Sequence, residues 1–325
     1  MMPDDKPSVL VLGAGVAGLV TAVTLAERGA RVTLQEVGPR VGSGASWFAG
    51  GMLAPWCEAE SAPQEVTDDS LHSIAWWAAH VPDTTINGSL VVAPPRDAVE
   101  LQRFGRRTSH FETIDAHRIA ELEPDLEDRF DRALFFPTEG HVDPRKALAA
   151  LRERLVNLGA TVQMEAATSM SDDDWRVDCT GIRAKENLTN LRGVRGEMLL
   201  LRCPDVSLHR PLRMLHPRIP IYIVPRENHL FMVGATMVES EDARGITVRA
   251  MTDLLNAAYT LHPAFADAEI VEANAGLRPS FPDNVPRVLQ EGRTIYLNGM
   301  YRHGFLLSPE RAARVAAIIF GEEKV

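Results

Sequence analysis

The chain has 325 residues, with 34 Lys and Arg against 44 Asp and Glu, 45% apolar residues, 24% charged residues and three cysteines. That balance excludes disorder, collagen and a disulfide-stapled scaffold, and at this length two lobes, or one domain with a large insertion, are expected. The formal net charge of −10, with no basic run to reverse it locally, excludes nucleic acid as an expected partner.

Cys57, Cys179 and Cys203 are odd in number, far apart and form no C-x-x-C pair. Neither a disulfide framework nor a zinc site is encoded, no metal is expected, and a reducing cytoplasm fits. The opening Met-Met-Pro-Asp-Asp-Lys-Pro lacks the basic-then-apolar order of a secretory signal, so no export is expected. Twenty uncharged residues separate Lys6 from Glu27, the length of a membrane span. Gly13, Gly15, Gly18, Thr21 and Thr24 interrupt them, so the run reads as strand, turn and helix, and no membrane association is expected.

The strand of that unit is Ser8–Leu12, apolar enough to be buried on both faces of a parallel sheet. Gly13-Ala14-Gly15-Val16-Ala17-Gly18 follows directly and opens a helix with apolar residues at Val16, Leu19, Val20, Val23 and Ala26, a dinucleotide fingerprint in its required setting. Gly13 permits the tight turn, Gly15 lets backbone approach a pyrophosphate, Gly18 lets helix and strand pack closely, and the helix N-terminus faces the anion. A second strand, Arg31–Gln35, ends at Glu36, eighteen residues past Gly18. A carboxylate there can accept from both ribose hydroxyls and repels a 2′-phosphate, which disfavours NADP and leaves NAD or FAD. Trp76 and Trp77 sit in an expected helix and read as packing.

Residues 86–141 and 191–283 carry short alternating apolar segments, among them 197–201, 219–224 and 229–233, bounded by Pro, Gly and Asn. They predict antiparallel strands that build one sheet over the nucleotide lobe. The remaining stretches, 1–85, 142–190 and 284–325, read as that lobe. Asp143-Pro144 starts a helix with Leu148, Leu151, Leu155 and Leu158 as one apolar stripe and Gly159 closing it. Extended segments follow at 160–164 and 176–181. At the far end Thr294–Asn298 reads as a strand and 299–305 as a loop. Ser308 reads as the cap of a final helix with Pro309 at its first position, its partly positive N-terminus aimed back at the loop. His209 and His216, like His110 and His117, have no acidic partner in metal register.

Six separated segments resemble the FAD-dependent amine oxidases of the D-amino-acid oxidase family, and among them the glycine oxidases of thiamine biosynthesis. They are Gly13-Ala14-Gly15-Val16-Ala17-Gly18-Leu19, Ala45-Ser46-Trp47-Phe48-Ala49-Gly50-Gly51-Met52-Leu53-Ala54-Pro55, Tyr222-Ile223-Val224-Pro225-Arg226, Val233-Gly234-Ala235-Thr236-Met237, Gly276-Leu277-Arg278-Pro279 and Tyr301-Arg302-His303-Gly304-Phe305-Leu306-Leu307-Ser308-Pro309. The resemblance implies an α/β fold in which a Rossmann-like FAD-binding domain is interleaved with an antiparallel, sheet-rich substrate domain. It implies non-covalent FAD, a small amino acid and O2 as reactants, an imine that yields glyoxylate and ammonia, H2O2 as the reduced product, hand-over to a thiazole synthase and a homo-oligomer. Ala45, Ser46, Gly50, Gly51, Met52 and Leu53 would run beside the flavin ring, and the backbone of Arg302, His303, Gly304, Phe305 and Leu306 would meet its pyrimidine edge. Gly13, Gly15, Val16, Ala17, Gly18, Glu36, Arg40, Ala167, Thr180 and Gly181 would complete the cofactor site. The sequence departs from the family in a shorter 160–180 stretch, in Pro220 where some relatives place a polar or His residue, and in having no cysteine beyond Cys203 for a covalent flavin link.

Such an oxidase must orient a substrate whose Cα hydrogen faces flavin N5, and orientation supplies most of the catalysis. Holding a carboxylate in a closed apolar cleft requires a buried cation, and a guanidinium can grip both oxygens. Arg302 and Arg278 are the candidates, with Tyr222 donating its hydroxyl to the same acid and Met52 and Met237 as pocket walls. Only the backbone of His303 is expected to matter, because neighbours in an extended loop point to opposite sides. The residues leave open another amine, such as sarcosine, a D-amino acid or an N-carboxymethyl amino acid, and a nucleotide-binding module without catalysis. Both arginines and the flavin-side loop argue against the module.

Overall fold

The computed structural model describes residues 6–164, 175–216 and 220–322. Ala167 and about half of the 160–180 stretch lie outside them. Among the described residues one sheet has six strands, in the spatial order Arg287–Glu291, Thr294–Asn298, Trp175–Asp178, Ser8–Leu12, Arg31–Gln35 and Thr161–Gln163. All its pairs are parallel except the first, a terminal hairpin. Ser8–Leu12 is central, so Val9 and Val11 are almost wholly enclosed, which is why it reads as a continuous apolar run.

The helix Val16–Glu27 is buried over most of its length and packs between Gly304–Ile319 and Pro144–Asn157. Enclosure by protein on several sides explains its uncharged composition. Among the described residues no helix is long and apolar enough to cross a membrane. Asp143 caps Pro144–Asn157 by accepting from the amides of Arg145 at 2.8 Å and Lys146 at 3.4 Å. Leu148, Leu151 and Leu155 are buried, whereas Leu158, at the helix end, is 42% exposed and leaves the stripe.

The second sheet has eight strands among the described residues, in the order Glu269–Ser280, Arg192–Arg202, Leu230–Gly234, Ile221–Arg226, Leu212–Met214, Ser89–Val92, Arg132–Phe136 and Glu112–Asp115. It is antiparallel except at one pair, where Leu212–Met214 runs parallel to Ser89–Val92. That pair joins the two β-rich stretches, which are distant in sequence, so no hairpin imposes the antiparallel direction. Among the described residues three α-helices interrupt the strand reading of these stretches: Ala98–Arg107, Ala116–Leu122 and Val248–Leu261. The last is capped by Thr247 Oγ1, which accepts from Ala250 N at 3.2 Å, and its Leu254, Ala258 and Leu261 join the sheet core with Leu199, Leu201, Ile223 and Val233.

The final helix corrects the expectation at Ser308. It spans Gly304–Ile319, with His303 at its N-cap position and Pro309 inside it. A proline there removes the helical donor to the carbonyl four residues earlier. That carbonyl, of Phe305, finds its donor off the helix, in Trp77 Nε1 at 2.7 Å. Ser308 is no cap; its hydroxyl donates back to the carbonyl of Gly304. The helix therefore starts five residues earlier than its proline suggests, and its first turn reaches the site.

Candidate cofactor and substrate site

A cavity of about 580 Å³ is lined by residues of both sheets. In its nucleotide part Gly13 has φ +90°, and a Cβ there would fall 2.7 Å from the carbonyl oxygen of Cys179. A Cβ on Gly18 would fall 1.8 Å from the carbonyl oxygen of Gly13, so Gly18 is a packing requirement and does not itself line the cavity. Gly15 lines the wall and holds the N-cap position of Val16–Glu27, whose first amide, of Val16, donates to Ser46 Oγ at 3.0 Å. The buried Glu36 carboxylate accepts from Ala14 N at 2.8 Å and Gly38 N at 2.6 Å. A carboxylate offers about four lone-pair sites, so two remain for ribose hydroxyls. Thr180 and Gly181 also line this part, next to Asp178, whose Oδ1 accepts from the Thr180 amide and hydroxyl. The glycine cradle, helix start and acid fit a dinucleotide without a 2′-phosphate.

Ala45, Ser46, Gly50, Gly51 and Met52 line the cavity next, together with the first turn Gly304, Phe305 and Leu306, whose backbone amides have no helical acceptor. Leu53 is fully buried behind this wall. Two expected contacts are corrected. Arg40 is exposed, does not line the cavity and stacks its guanidinium 4.0 Å over the Trp47 ring, a cation–π arrangement that holds it on the surface. Met237 is 50% exposed at the rim, where its sulfur takes contacts from the Tyr301 hydroxyl and Arg302 Nη1. Pro220 is likewise exposed and off the cavity wall.

The third part gathers Tyr222, Arg278 and Arg302. The Tyr222 ring lies where a Gly50 side chain would be, 2.7 Å from its ideal Cβ, and the Arg278 guanidinium lies flat over Gly196, 2.3 Å from the Cβ position. Arg278 donates to the carbonyl of Thr236 at 3.0 Å and hydrogen-bonds with Tyr222. Burial, with Arg302 nearby, pulls it below the ordinary guanidinium range, though it remains a cation.

Arg302 brings its own counter-ion. Its Nη2 donates to Glu58 Oε1 at 2.8 Å, and Arg213 Nη2 reaches the same oxygen at 3.1 Å. His303 Nδ1 lies 3.2 Å from Glu58 Oε2. Burial alone would raise the Glu58 carboxyl, but Arg302, His303 and Arg213 outweigh it and hold the group well below the usual carboxylate range. The His303 expectation is therefore corrected. Its ring is buried against the same carboxylate as Arg302, because 301–303 form a turn, with φ +46° at Tyr301, and strand alternation does not apply. Glu58 itself escaped the sequence reading, since nothing in the short helix Pro55–Glu58 signals a partner 244 residues away.

Behind Glu58, the buried Glu139 accepts from Cys57 N at 2.8 Å and from the Ser89 hydroxyl. Burial lifts its carboxyl to about 7, against the opposing effect of those hydrogen bonds. A second buried pair, Arg195 and Glu197, ties down the loop after Gly234. Arg195 donates to the carbonyls of Asp242, Arg244 and Gly245, and Glu197 accepts from Thr236 Oγ1 and Thr247 N.

A dinucleotide cradle opening into a pocket walled by two half-buried arginines and a tyrosine defines a two-lobed, cofactor-dependent oxidoreductase. Residues 8–318 match the family model described as FAD dependent oxidoreductase, and the chain belongs to that family, the DAO flavoproteins; it is an FAD-dependent oxidoreductase. It is 54% identical over 317 residues, 97% of each chain, to the Rhizobium etli protein whose name assigns it, provisionally, to thiamine biosynthesis as the oxidoreductase ThiO. It is 28% identical over 347 residues to the bifunctional ThiO/ThiG protein of Synechocystis sp., covering 97% of this chain and 52% of that protein. Glycine oxidase of Geobacillus kaustophilus matches in sequence, 28% identical over 356 residues, 97% of this chain and 93% of that one. A crystal structure of glycine oxidase from that organism superposes with a TM-score of 0.82 at 24% identity, covering 98% of this chain and 96% of the other.

Proposed function

We propose that the protein oxidises a small primary or secondary amino acid, glycine first, to its imine, which hydrolyses to glyoxylate and ammonia. The observation that carries this reading is the convergence of Arg278 and Tyr222 in the same cavity as the glycine cradle and Glu36. Non-covalent FAD supplies the two-electron acceptor for the Cα–N centre, and O2 takes the electrons onward to H2O2. Gly13, Gly15, Val16, Ala17, Glu36, Thr180 and Gly181 hold the nucleotide half. Ala45, Ser46, Gly50, Gly51 and Met52 flank the ring, and the amides of Gly304, Phe305 and Leu306 offer positive partial charge at the start of a helix.

Arg278 binds the substrate carboxylate, with the Tyr222 hydroxyl as a second donor. Arg302, steadied by Glu58, borders the pocket from the opposite loop. Met52 limits substrate size on one side. The chain's own contribution is thus orientation and exclusion of water. The similarity to a protein named for thiamine biosynthesis, and to a bifunctional ThiO/ThiG protein, supports a role in that pathway and passage of the imine to a thiazole-forming partner.

The test is anaerobic addition of glycine to the purified protein, watching flavin absorbance near ~450 nm. Bleaching, followed by recovery with peroxide on admitting air, is the expected result. A spectrum unmoved by glycine and by other small amino acids would end this reading.

A further inference from the structure

We propose that Glu58 limits the substrate to a single carboxylate: it occupies Arg302, which leaves Arg278 as the guanidinium open to an acid. The inference rests on the amino-acid oxidase reading and deepens it. Two arginines reach the cavity beside Tyr222, and their partners differ in charge. Arg278 donates to a neutral carbonyl, of Thr236, at 3.0 Å and pairs with Tyr222, and among the described residues it meets no carboxylate. Arg302 Nη2 instead meets the Glu58 carboxylate at 2.8 Å.

Glu58 is held in place from three directions. Arg213 Nη2 shares its Oε1 at 3.1 Å, Arg213 Nη1 anchors itself on the carbonyl of Cys57 at 3.0 Å, and His303 Nδ1 lies 3.2 Å from Oε2. Swinging the carboxylate away would strand a half-buried anion and free the guanidiniums of Arg302, half-buried, and Arg213, buried, at once, a costly rearrangement. A second acid on the substrate, reaching for Arg302, would therefore come against a fixed negative charge. Like charges brought together out of water repel strongly, and an arrangement of this kind selects by rejecting the wrong ligand. An amino acid with one carboxylate avoids that contact, whereas an aminodicarboxylate of similar length meets it.

The FAD-loaded protein tests this without turnover. Acetate, with one carboxylate, and malonate, with two, are titrated while flavin absorbance and binding heat are followed. Wild-type protein is expected to bind malonate at least about tenfold more weakly than acetate, and Glu58→Gln to tighten malonate at least about tenfold while acetate changes less. Glu58→Asp, which keeps the charge, is expected to retain the wild-type order. Malonate binding wild type as well as acetate overturns the proposal, and this comparison needs no variant to fold. An unchanged malonate-to-acetate ratio in Glu58→Gln overturns it too, as does a loss of glycine affinity there with both acids unaffected. Anaerobic bleaching by glycine, measured on the same wild-type preparation, reports separately on the oxidase reading. Bleaching alongside equal acid binding defeats this inference alone, and absence of bleaching defeats the oxidase reading whatever the acids do.

Discussion

Trp77 holds Phe305: its buried indole N–H donates at 2.7 Å to the carbonyl that Pro309, four residues on, leaves without a helical donor. Ser73 Oγ stands 3.5 Å from the same oxygen. The helix Ser73–His80 thus supplies from outside what the final helix lacks, and since Phe305 lines the cavity the bond fastens the first turn to the core. Trp77→Phe keeps the aromatic packing and removes the donor. It should cost about 1–3 kcal/mol, visible as a lower unfolding midpoint and faster FAD release. A variant that melts and holds FAD like wild type would show that the bond is idle.

The two arginines should separate in binding measurements. Arg278→Met removes the cation that we assign to the substrate carboxylate and should weaken glycine by roughly 100-fold, or about 3 kcal/mol, within the range for a buried charge pair. Arg302→Met should cost less, because Glu58 retains Arg213 and His303. Glycine dissociation constants from anaerobic reduction decide the order, and a larger loss at Arg302 would reverse the assignment.

Glu36 ties the glycine turn to the loop after Arg31–Gln35 through two backbone amides, those of Ala14 and Gly38. Glu36→Ala strips both of their acceptor and removes the proposed ribose contact. FAD affinity should fall at least about tenfold, since hydrogen bonds to a charged group are worth about 1.5–3 kcal/mol each. Glu36→Gln, which keeps one acceptor oxygen, should fall between. FAD fluorescence on dilution measures both.

Glu139 makes stability depend on pH in a stated direction. Burial first, with the Ser89 and Cys57 hydrogen bonds opposing it, lifts the folded value to about 7 from an ordinary 4.5. The folded state therefore binds this proton more tightly than the unfolded chain. Its contribution favours folding below about pH 4.5 and is lost as pH rises through about 7. Glu139→Gln can still accept from Cys57 N and can donate to Ser89, and it does not titrate. It should be more stable than wild type at pH 8, by up to roughly 3 kcal/mol, with the difference closing toward pH 5. Denaturant unfolding at both values checks this; parallel shifts at the two would contradict it.

The legible parts of this protein share one property, which is that their chemistry is contiguous. Ser8–Leu12, the glycines after it and Arg31–Gln35 ending at Glu36 lie within one strand–turn–helix–strand unit, so spacing alone exposes them. Pro144–Asn157 was equally readable from Asp143, Pro144 and Gly159. Val248–Leu261 carried its signals too, in Thr247 and in Ala250, Leu254, Ala258 and Leu261, but they stand among strands whose alternation dominated the surrounding stretch. At Pro309 the usual preference for a first helical position gave the wrong start, because the cost of an interior proline is met by Trp77, more than two hundred residues earlier in the chain.

Neighbours along the chain suffice to encode a glycine turn and an acid suited to a dinucleotide without a 2′-phosphate, and the short motifs around Arg278 and Arg302, because each of these features is local. Folding alone decided which arginine is available. Glu58 and Arg302 are 244 residues apart and meet at 2.8 Å. His303 turns to the same carboxylate because its backbone bends. An ion pair's strength falls with distance through space and rises with burial, and no local pattern encodes either quantity.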